Sequence, residues 1–161
     1  MDFTHLNEDG RGRMVDVSSK EDTIRTARAT GRIRMKQDTV VRIKNGGMKK
    51  GDVLAVAQIA GIMAAKRTSE TIPLCHNILL QAVDLTFEVK DSEVIATSLI
   101  QTTGKTGAEM EALSAVSTAL LTVYDMCKAI DKDMVIDGVK LLEKTGGKSG
   151  HYQRTEDSSD E

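Results

Sequence analysis

The segment from Thr26 to Lys36 alternates strictly between two kinds of residue. One side of the alternation carries the small and apolar residues Ala27, Ala29, Gly31, Ile33 and Met35. The other side carries Arg28, Thr30, Arg32, Arg34 and Lys36. A repeat of two residues is the side-chain period of a β-strand that buries one face. The pattern therefore predicts a half-buried strand at 26–36.

Two helical patterns follow this strand. Residues 38–44 predict a short helix that stops at Asn45-Gly46-Gly47. A second helix begins after Gly51, with Asp52 as its N-cap. It runs to about Thr68, because apolar residues recur there at helical spacing.

The second half of the chain predicts a hairpin, a long helix and a last strand. Alternating apolar residues indicate strands at 82–90 and 93–103, joined by a tight turn at 90–92. A helix over 107–130 follows, with Thr106 and Glu109 as a capping box. A final strand is expected at 134–142.

The order strand, helix, strand, strand, helix, strand is that of the ferredoxin-like fold. The predicted class is α+β, a ferredoxin-like βαββαβ unit: an antiparallel sheet with two main helices on one face. The other face must then be solvated or covered by another subunit. We expect a single domain over 1–150, with an extended arm at 1–20 and an acidic, disordered tail at 151–161.

The composition limits the possible functions. The 161 residues are enough for one core, and the net charge of −2 gives no global attraction to nucleic acid or membrane. No apolar run is long enough for a transmembrane helix, and the N-terminus lacks a secretory pattern. The two cysteines have no metal or disulfide spacing, which favours the cytoplasm. Aromatic residues make up only 2% of the chain, so the core must be aliphatic and oligomer formation would add burial.

The stretch Gly104-Lys105-Thr106 looks like half of a nucleotide-binding loop. A Walker A loop needs a further glycine five positions before the second one, and Leu99 stands there. Gly147-Lys148-Ser149 fails the same test at Leu142. Neither segment therefore predicts a P-loop, although a helix N-terminus after Thr106 could still bind an anion.

Nine short motifs occur in an order that matches a known family. They are Met14-Val15-Asp16-Val17, Lys50-Gly51-Asp52, Ala60-Gly61-Ile62, Ala65-Lys66, Ile72-Pro73-Leu74-Cys75-His76, Gly104-Lys105-Thr106-Gly107, Glu109-Met110-Glu111-Ala112-Leu113, Tyr124-Asp125-Met126-Cys127-Lys128-Ala129 and Gly146-Gly147-Lys148-Ser149-Gly150. Together they resemble the molybdenum cofactor biosynthesis protein C family, the cyclic pyranopterin monophosphate synthases. One departure is Asn77, where the family usually has proline.

The resemblance implies an enzyme, a phosphorus–oxygen lyase. Its substrate would be the cyclised dihydro-GTP made by an upstream radical enzyme, (8S)-3′,8-cyclo-7,8-dihydroguanosine 5′-triphosphate. Its products would be cyclic pyranopterin monophosphate and pyrophosphate. The family fold is ferredoxin-like, and its assembly is a hexamer built as a trimer of dimers. The sequence requires no cofactor and indicates no metal site, although Mg²⁺ could accompany the triphosphate.

Three residues are the catalytic candidates: Lys50, Asp125 and Lys128. A leaving pyrophosphate needs nearby cations, and an ammonium desolvated among other cations can lose its proton more easily. Asp125 lies one helical turn before Lys128, so the two share a face. The aspartate would accept a proton or orient the lysine.

The substrate-binding candidates are Leu74, Cys75, His76, Glu109, Met110, Glu111 and Arg25. By resemblance, the 74–76 loop contacts substrate through its backbone and imidazole. A carboxylate such as Glu111 suits the N–H edge of a pterin, and Arg25 is a candidate for phosphate. Adjacent side chains point apart, so a Cys75–His76 nucleophile pair is not expected.

The length of the helix predicted at 107–130 separates two sets of candidates. Glu111 and Asp125 are fourteen residues apart, roughly 21 Å along one axis. We therefore expect each site to join the Asp125 end of one subunit to the Glu111 end of another.

Two alternative functions remain. One is a non-catalytic nucleotide-binding ferredoxin-like module, and the other is RNA binding on the sheet, for which Phe87 is the only aromatic in the predicted strands.

Overall fold

The computed structural model describes residues 4–155, which form a sheet with its main helices packed on one face. The elements are β1 (Thr23–Arg34), α1 (Gln37–Lys44), α2 (Val53–Lys66), α3 (Thr68–Thr71), β2 (Leu80–Val89), β3 (Glu93–Gly104), α4 (Glu109–Cys127), β4 (Val135–Thr145) and β5 (Tyr152–Gln153).

The described strands form one sheet in the order β2-β3-β1-β4-β5, and all neighbours are antiparallel. β1 lies between β3 and β4, so the two β–α–β crossovers each skip one strand. This is the split arrangement of the ferredoxin-like fold. The predicted α+β class is confirmed.

The predicted alternation of β1 is also confirmed. Ala27, Ala29 and Ile33 are buried towards the helices. Gly31 lies so close beneath α4 that an added Cβ would come within 2.9 Å of Val116. The basic residues of β1 therefore lie on the open face of the sheet.

The core is built from small and aliphatic residues, as the composition predicted. α2 and α4 cross closely at Gly61, where an added Cβ would be 2.9 Å from the Ala115 carbonyl oxygen and 2.7 Å from Leu85. Such contacts are shorter than real Cβ atoms allow. Glycine is thus required here by close packing.

Local signals set the ends of the first two helices. The Asp52 carboxylate accepts a hydrogen bond from the Ala55 amide at 3.0 Å, which confirms the predicted N-cap of α2. α1 ends at Lys44 with Asn45 as its C-cap, and Gly46 follows with φ +67°. None of the helices within residues 4–155 is long and apolar enough to span a membrane.

The predicted capping box of α4 is wrong. The helix begins at Glu109 after Ala108, with no side-chain cap, and the Thr106 hydroxyl instead reaches the Gly107 carbonyl at 3.4 Å. Glu109 contacts Lys144 of β4 at 2.8 Å. This ion pair takes the carboxylate that the capping box needed.

The predicted boundary at residue 150 also differs from the structure. Tyr152 and Gln153 form β5 and pair with Lys144 and Glu143 of β4. The backbone of Arg154 donates to the Leu142 carbonyl at 2.7 Å, which extends this pairing. The acidic residues 156–161 lie outside the described residues.

Candidate active site

Asp125 lies between two lysines. Its Oδ1 is 2.7 Å from Lys128 Nζ, and its Oδ2 is 2.9 Å from Lys50 Nζ. Lys50 also donates to the Asp125 carbonyl at 3.2 Å. The structure thus brings the three predicted catalytic residues together.

These three side chains meet where α2 begins and α4 ends. Lys50 lies in the turn just before Asp52, the N-cap of α2. Asp125 lies in the last turn of α4, and Lys128 is its C-cap. An aspartate opposes the helix dipole at this end, whereas a lysine complements it. The two lysines offset the unfavourable position of Asp125.

The pairing moves the pKa values of the acid and the base apart. The hydrogen bond from Lys128, followed by that from Lys50, lowers the pKa of Asp125 to about 2. The hydrogen bond between Lys128 and Asp125 also raises the pKa of Lys128 above its ordinary value. The expectation of an easily deprotonated lysine is therefore wrong for Lys128 in the single chain. Asp125 is a weak base here, which favours its orienting role over that of proton acceptor.

A second group of candidate residues, here called the second centre, surrounds Glu111 at the other end of α4. The first centre is the Lys50–Asp125–Lys128 cluster. Only 2% of the surface of Glu111 is exposed, and burial raises the pKa of its carboxyl. Its Oε1 is 3.8 Å from Cys75 Sγ, while Oε2 has no hydrogen-bond partner within residues 4–155. A buried carboxyl with an unpaired oxygen is costly unless a ligand donor satisfies it.

Cys75 does not have the properties of a nucleophile. Burial, followed by the charge of Glu111, raises the pKa of its thiol. A nucleophilic cysteine needs the opposite shift. The thiol instead acts as a weak hydrogen-bond donor to Glu111.

Lys144 is a site residue that the sequence did not predict. It extends from β4 to Glu109 at 2.8 Å, and both side chains are more than two-thirds buried. The predicted strand ended at 142, so the direction of this side chain could not be read from the alternation. A basic residue just before Gly146-Gly147 was the available signal.

Arg25 lies under the glycine-rich loop that follows β4. Its Nε donates to the Gly104 carbonyl at 2.9 Å. Gly146 and Gly147 have φ of +92° and +78°, and an added Cβ on Gly147 would collide with the guanidinium. The loop can therefore close over Arg25 only with glycine at these positions.

The remaining binding candidates lie around this second centre. The ring Nε2 of His76 contacts the Val15 carbonyl of the N-terminal arm. Leu74 packs against Gly12 of the same arm and is 40% exposed. Met110 is 37% exposed in the first turn of α4.

The two centres are separate within one chain. α4 has 19 residues and is unbroken between them. Glu111 and Asp125 are therefore roughly 21 Å apart along the axis, at about 1.5 Å per residue. The predicted separation of the candidates is confirmed.

Comparison with known proteins identifies the family of this chain. The model of the MoaC family matches residues 14–147, which include both centres. This chain belongs to the MoaC family. The predicted family is thus confirmed, and the MoaC match begins in the arm at Met14.

Three curated relatives of this MoaC chain are each named cyclic pyranopterin monophosphate synthase. The relative from Heliobacterium modesticaldum is 61% identical over 96% of this chain and 98% of its own length. Those from Peptoclostridium acidaminophilum and Clostridium acetobutylicum are each 58% identical. They cover 96% and 94% of this chain, and 98% and 96% of their own lengths.

The Walker-like lysine of this MoaC chain does not form a phosphate loop. Lys105 Nζ donates to the backbone carbonyls of Ser18 and Lys20 and lies 3.9 Å from Asp22. Among residues 4–155, no group of three or more His, Cys, Asp or Glu residues could hold a metal ion.

The open sheet face of this MoaC chain argues against RNA binding. Arg32 and Arg34 pair with Asp137 at 2.7 and 2.6 Å, so neighbouring carboxylates offset the basic stripe. Phe87 packs against the core. Phe87 is the only aromatic in the predicted strands, and the unpredicted strand β5 adds Tyr152. Tyr152 is on the outermost strand, so within residues 4–155 the aromatics of the sheet do not form a row on which bases could stack.

Proposed function

We propose that this chain is a cyclic pyranopterin monophosphate synthase of molybdenum cofactor biosynthesis. It converts (8S)-3′,8-cyclo-7,8-dihydroguanosine 5′-triphosphate to cyclic pyranopterin monophosphate and releases pyrophosphate, as a phosphorus–oxygen lyase. The observation that carries the proposal is the Lys50–Asp125–Lys128 cluster in a chain of the MoaC family.

The product defines what the site must do. A cyclic monophosphate forms when a hydroxyl of the substrate attacks the α-phosphorus and loses its proton. The bond from that phosphorus to the bridging oxygen breaks, and pyrophosphate leaves with the electron pair. Lys50 and Lys128 lie within 3 Å of the same carboxylate, so they present two positive charges at one point. Two cations stabilise the charge that develops on the leaving group.

Asp125 orients the two lysines. Its carboxylate fixes both ammonium groups, and its lowered pKa keeps it ionised throughout the neutral range. When phosphate oxygens approach, the lysines can exchange this partner for the substrate. The raised pKa of Lys128 keeps that lysine protonated, so the proton of the hydroxyl leaves to water.

Glu111 binds the guanidine-like edge of the base. Its Oε1 lies 3.8 Å from Cys75 Sγ, whereas its buried Oε2 has no partner within residues 4–155 and requires a donor. The N–H groups of a guanine-derived ring supply paired donors in one plane, which a carboxylate accepts well. Arg25, His76 and the neighbouring binding candidates surround this end.

The complete site joins two copies of the chain. A nucleotide-sized substrate cannot contact both ends of α4, which are roughly 21 Å apart. The Asp125 end of one copy therefore meets the Glu111 end of another. The assembly is a hexamer, a trimer of dimers, as the resemblance to the family implies.

Exposed apolar residues support this assembly. α2 carries Val56, Ile59 and Met63 on its outer side, with exposures of 45, 61 and 38%. Its inner side packs on α4, so the helix is apolar all round. A helix of that kind is normally buried. In the oligomer, the outer side of α2 is covered by another copy.

The reaction takes place in the cytoplasm without a resident cofactor. The two cysteines are free, as is usual in a reducing compartment. Any Mg²⁺ arrives on the triphosphate, since Mg²⁺ commonly binds through substrate phosphates. Titration of the activity with EDTA, at fixed substrate, measures that contribution.

The direct test is incubation of the intact oligomer with the cyclised dihydro-GTP. We expect pyrophosphate and cyclic pyranopterin monophosphate to appear in equal amounts. Binding of the substrate without pyrophosphate release would instead identify a non-catalytic nucleotide-binding module. That outcome would overturn the proposed function.

A further inference from the structure

The N-terminal arm, residues 4–22, folds into local turns instead of extending freely. Leu6 and Gly12 form an antiparallel bridge, and the Arg13 amide donates to the His5 carbonyl at 2.7 Å. Farther along, Asp16 Oδ1 accepts from the Ser18 amide at 2.9 Å. The arm therefore has a defined shape before it meets the body of the protein.

Two contacts of the arm reach the candidate site. The Val15 carbonyl can only accept, so the Nε2 atom of His76 must donate to it. In the neutral imidazole the proton is therefore on Nε2, and Nδ1 is the acceptor. The adjacent Leu74 packs against Gly12, where an added Cβ would be 3.2 Å away.

A second set of contacts holds the arm at its other end. Lys105 Nζ donates to the Lys20 carbonyl and, at 3.5 Å, to the Ser18 carbonyl. Asp22 lies 3.9 Å from the same nitrogen. The donors of this lysine are thus directed at the arm, in a loop that directly precedes α4.

Lys105 matters because the arm has little apolar anchorage. Leu6 and Met14 are 45 and 54% exposed, and neither belongs to the buried core. Segments with few buried apolar contacts open easily. Charged hydrogen bonds to backbone carbonyls are stronger than neutral ones, so they can decide whether such a segment stays closed.

We propose that Lys105 is a positioning residue that clasps the N-terminal arm, so that the Val15 carbonyl holds the His76 imidazole in its binding orientation. The role of His76 rests on the proposed function, whereas the clasp itself does not. Lys105, the lysine of the Walker-like segment, thus affects substrate binding only through the arm and His76.

The first test is limited trypsin digestion of the intact oligomer, followed by mass spectrometry. In Lys105→Met, cleavage after Arg13 and Lys20 should become about tenfold faster, since a charged hydrogen bond contributes enough to shift opening by that factor. Lys105→Arg should restore most of the protection. Lys90→Met is the matched control, because Lys90 pairs with Glu93 in the β2–β3 hairpin and should leave arm cleavage unchanged. Equal cleavage of wild type and Lys105→Met would overturn the clasp.

The second test follows His76 itself. In ¹⁵N-edited spectra of the imidazole, wild type should show the Nε2 proton shifted downfield by its hydrogen bond to the Val15 carbonyl, and Lys105→Met should lose that shift. This readout does not depend on catalysis, so it separates failure of the clasp from failure of the proposed function. An unchanged His76 spectrum in Lys105→Met would overturn the positioning role.

The third test is a double-mutant cycle in the pyrophosphate assay. Lys105→Met should raise KM about tenfold with a smaller change in kcat, because orientation of a binding group is lost. In a His76→Ala background the same substitution should have no further effect on KM. Fully additive effects would mean that Lys105 acts independently of His76, and would overturn the proposal.

Discussion

Glu111 and Asp125 lie at opposite ends of one unbroken helix, α4, and each is held by a different part of the chain. Cys75 from the loop after α3 contacts Glu111, whereas Lys50 from the turn before α2 contacts Asp125. The helix therefore keeps a buried carboxyl and an exposed, doubly paired carboxylate at a fixed separation. This separation is the reason for expecting sites that are shared between copies.

Asp125→Asn should lower kcat about 100-fold and leave substrate binding nearly unchanged. Asparagine keeps the shape but not the charge that orients Lys50 and Lys128, and losses of this size are typical of an electrostatic group at the reacting atoms. Steady-state pyrophosphate release gives kcat, and direct binding measurement gives the affinity.

Asp133→Asn is the matched control for that substitution. Asp133 is 88% exposed and only loosely paired with Lys36 at 3.9 Å. Such surface pairs contribute little, so the activity should change by less than about twofold. Similar losses in both variants would remove the special role of Asp125.

The Asp125 carboxyl should remain ionised in acid. Its folded pKa is lowered from 3.8 to about 2, so the folded protein binds this proton less tightly than the unfolded chain. The resulting stabilisation is fully present above the ordinary value and is lost as the pH falls through about 2. Carboxyl ¹³C NMR should show Asp125 ionised at about pH 3, and in Lys128→Met the midpoint should move back towards 3.8.

Glu111→Gln should stabilise the protein at neutral pH while weakening substrate binding. Burial raises the pKa of Glu111, so the folded state holds this proton more tightly than the unfolded chain does. Stability therefore falls as the pH rises from the ordinary value of 4.5 through the raised one. In urea unfolding, the free energy of unfolding of the variant should exceed that of wild type at about pH 7 and should equal it below pH 4.5. An advantage of equal size at every pH would contradict the titration of Glu111.

Gly61→Ala should destabilise the protein despite its helical position. Alanine gains about 1 kcal/mol in helix propensity, but overpacking typically costs about 1–3 kcal/mol. Here the added methyl meets the Ala115 backbone at 2.9 Å, and a backbone atom cannot turn aside as a side chain can. Urea unfolding measures the net loss.

Gly47→Ala is the matched control for Gly61→Ala, because Gly47 lies outside the contact between α2 and α4. Its nearest neighbour would be the Arg42 carbonyl at 3.7 Å, an ordinary contact, and its φ is not in the left-handed region. Its unfolding midpoint should stay close to that of wild type. A stable Gly61→Ala protein would show that the helices can separate freely.

The fold was predictable wherever one local signal dominated. The alternation of β1 and the cap at Asp52 depend on residues that are near each other in sequence, and both were predicted correctly. The capping box failed because Lys144, from another strand, competes for Glu109. β5 was missed because a two-residue strand has no period to read.

The site was predictable only in part for the same reason. Asp125 and Lys128 are one turn apart, so their pairing follows from the helix alone. Lys50 joins them from a distant turn, and only the family resemblance pointed to it. The partner of Lys105 is the arm, which no periodicity connects to the loop before α4.

The most direct test of the shared site is pyrophosphate release by mixed oligomers. Asp125→Asn and Glu111→Ala protomers should each be nearly inactive alone, because every site in either oligomer lacks one essential group. After subunit exchange, confirmed by native mass spectrometry, some sites receive both intact ends, and partial activity should return. Confirmed exchange with no recovery of pyrophosphate release would contradict the account.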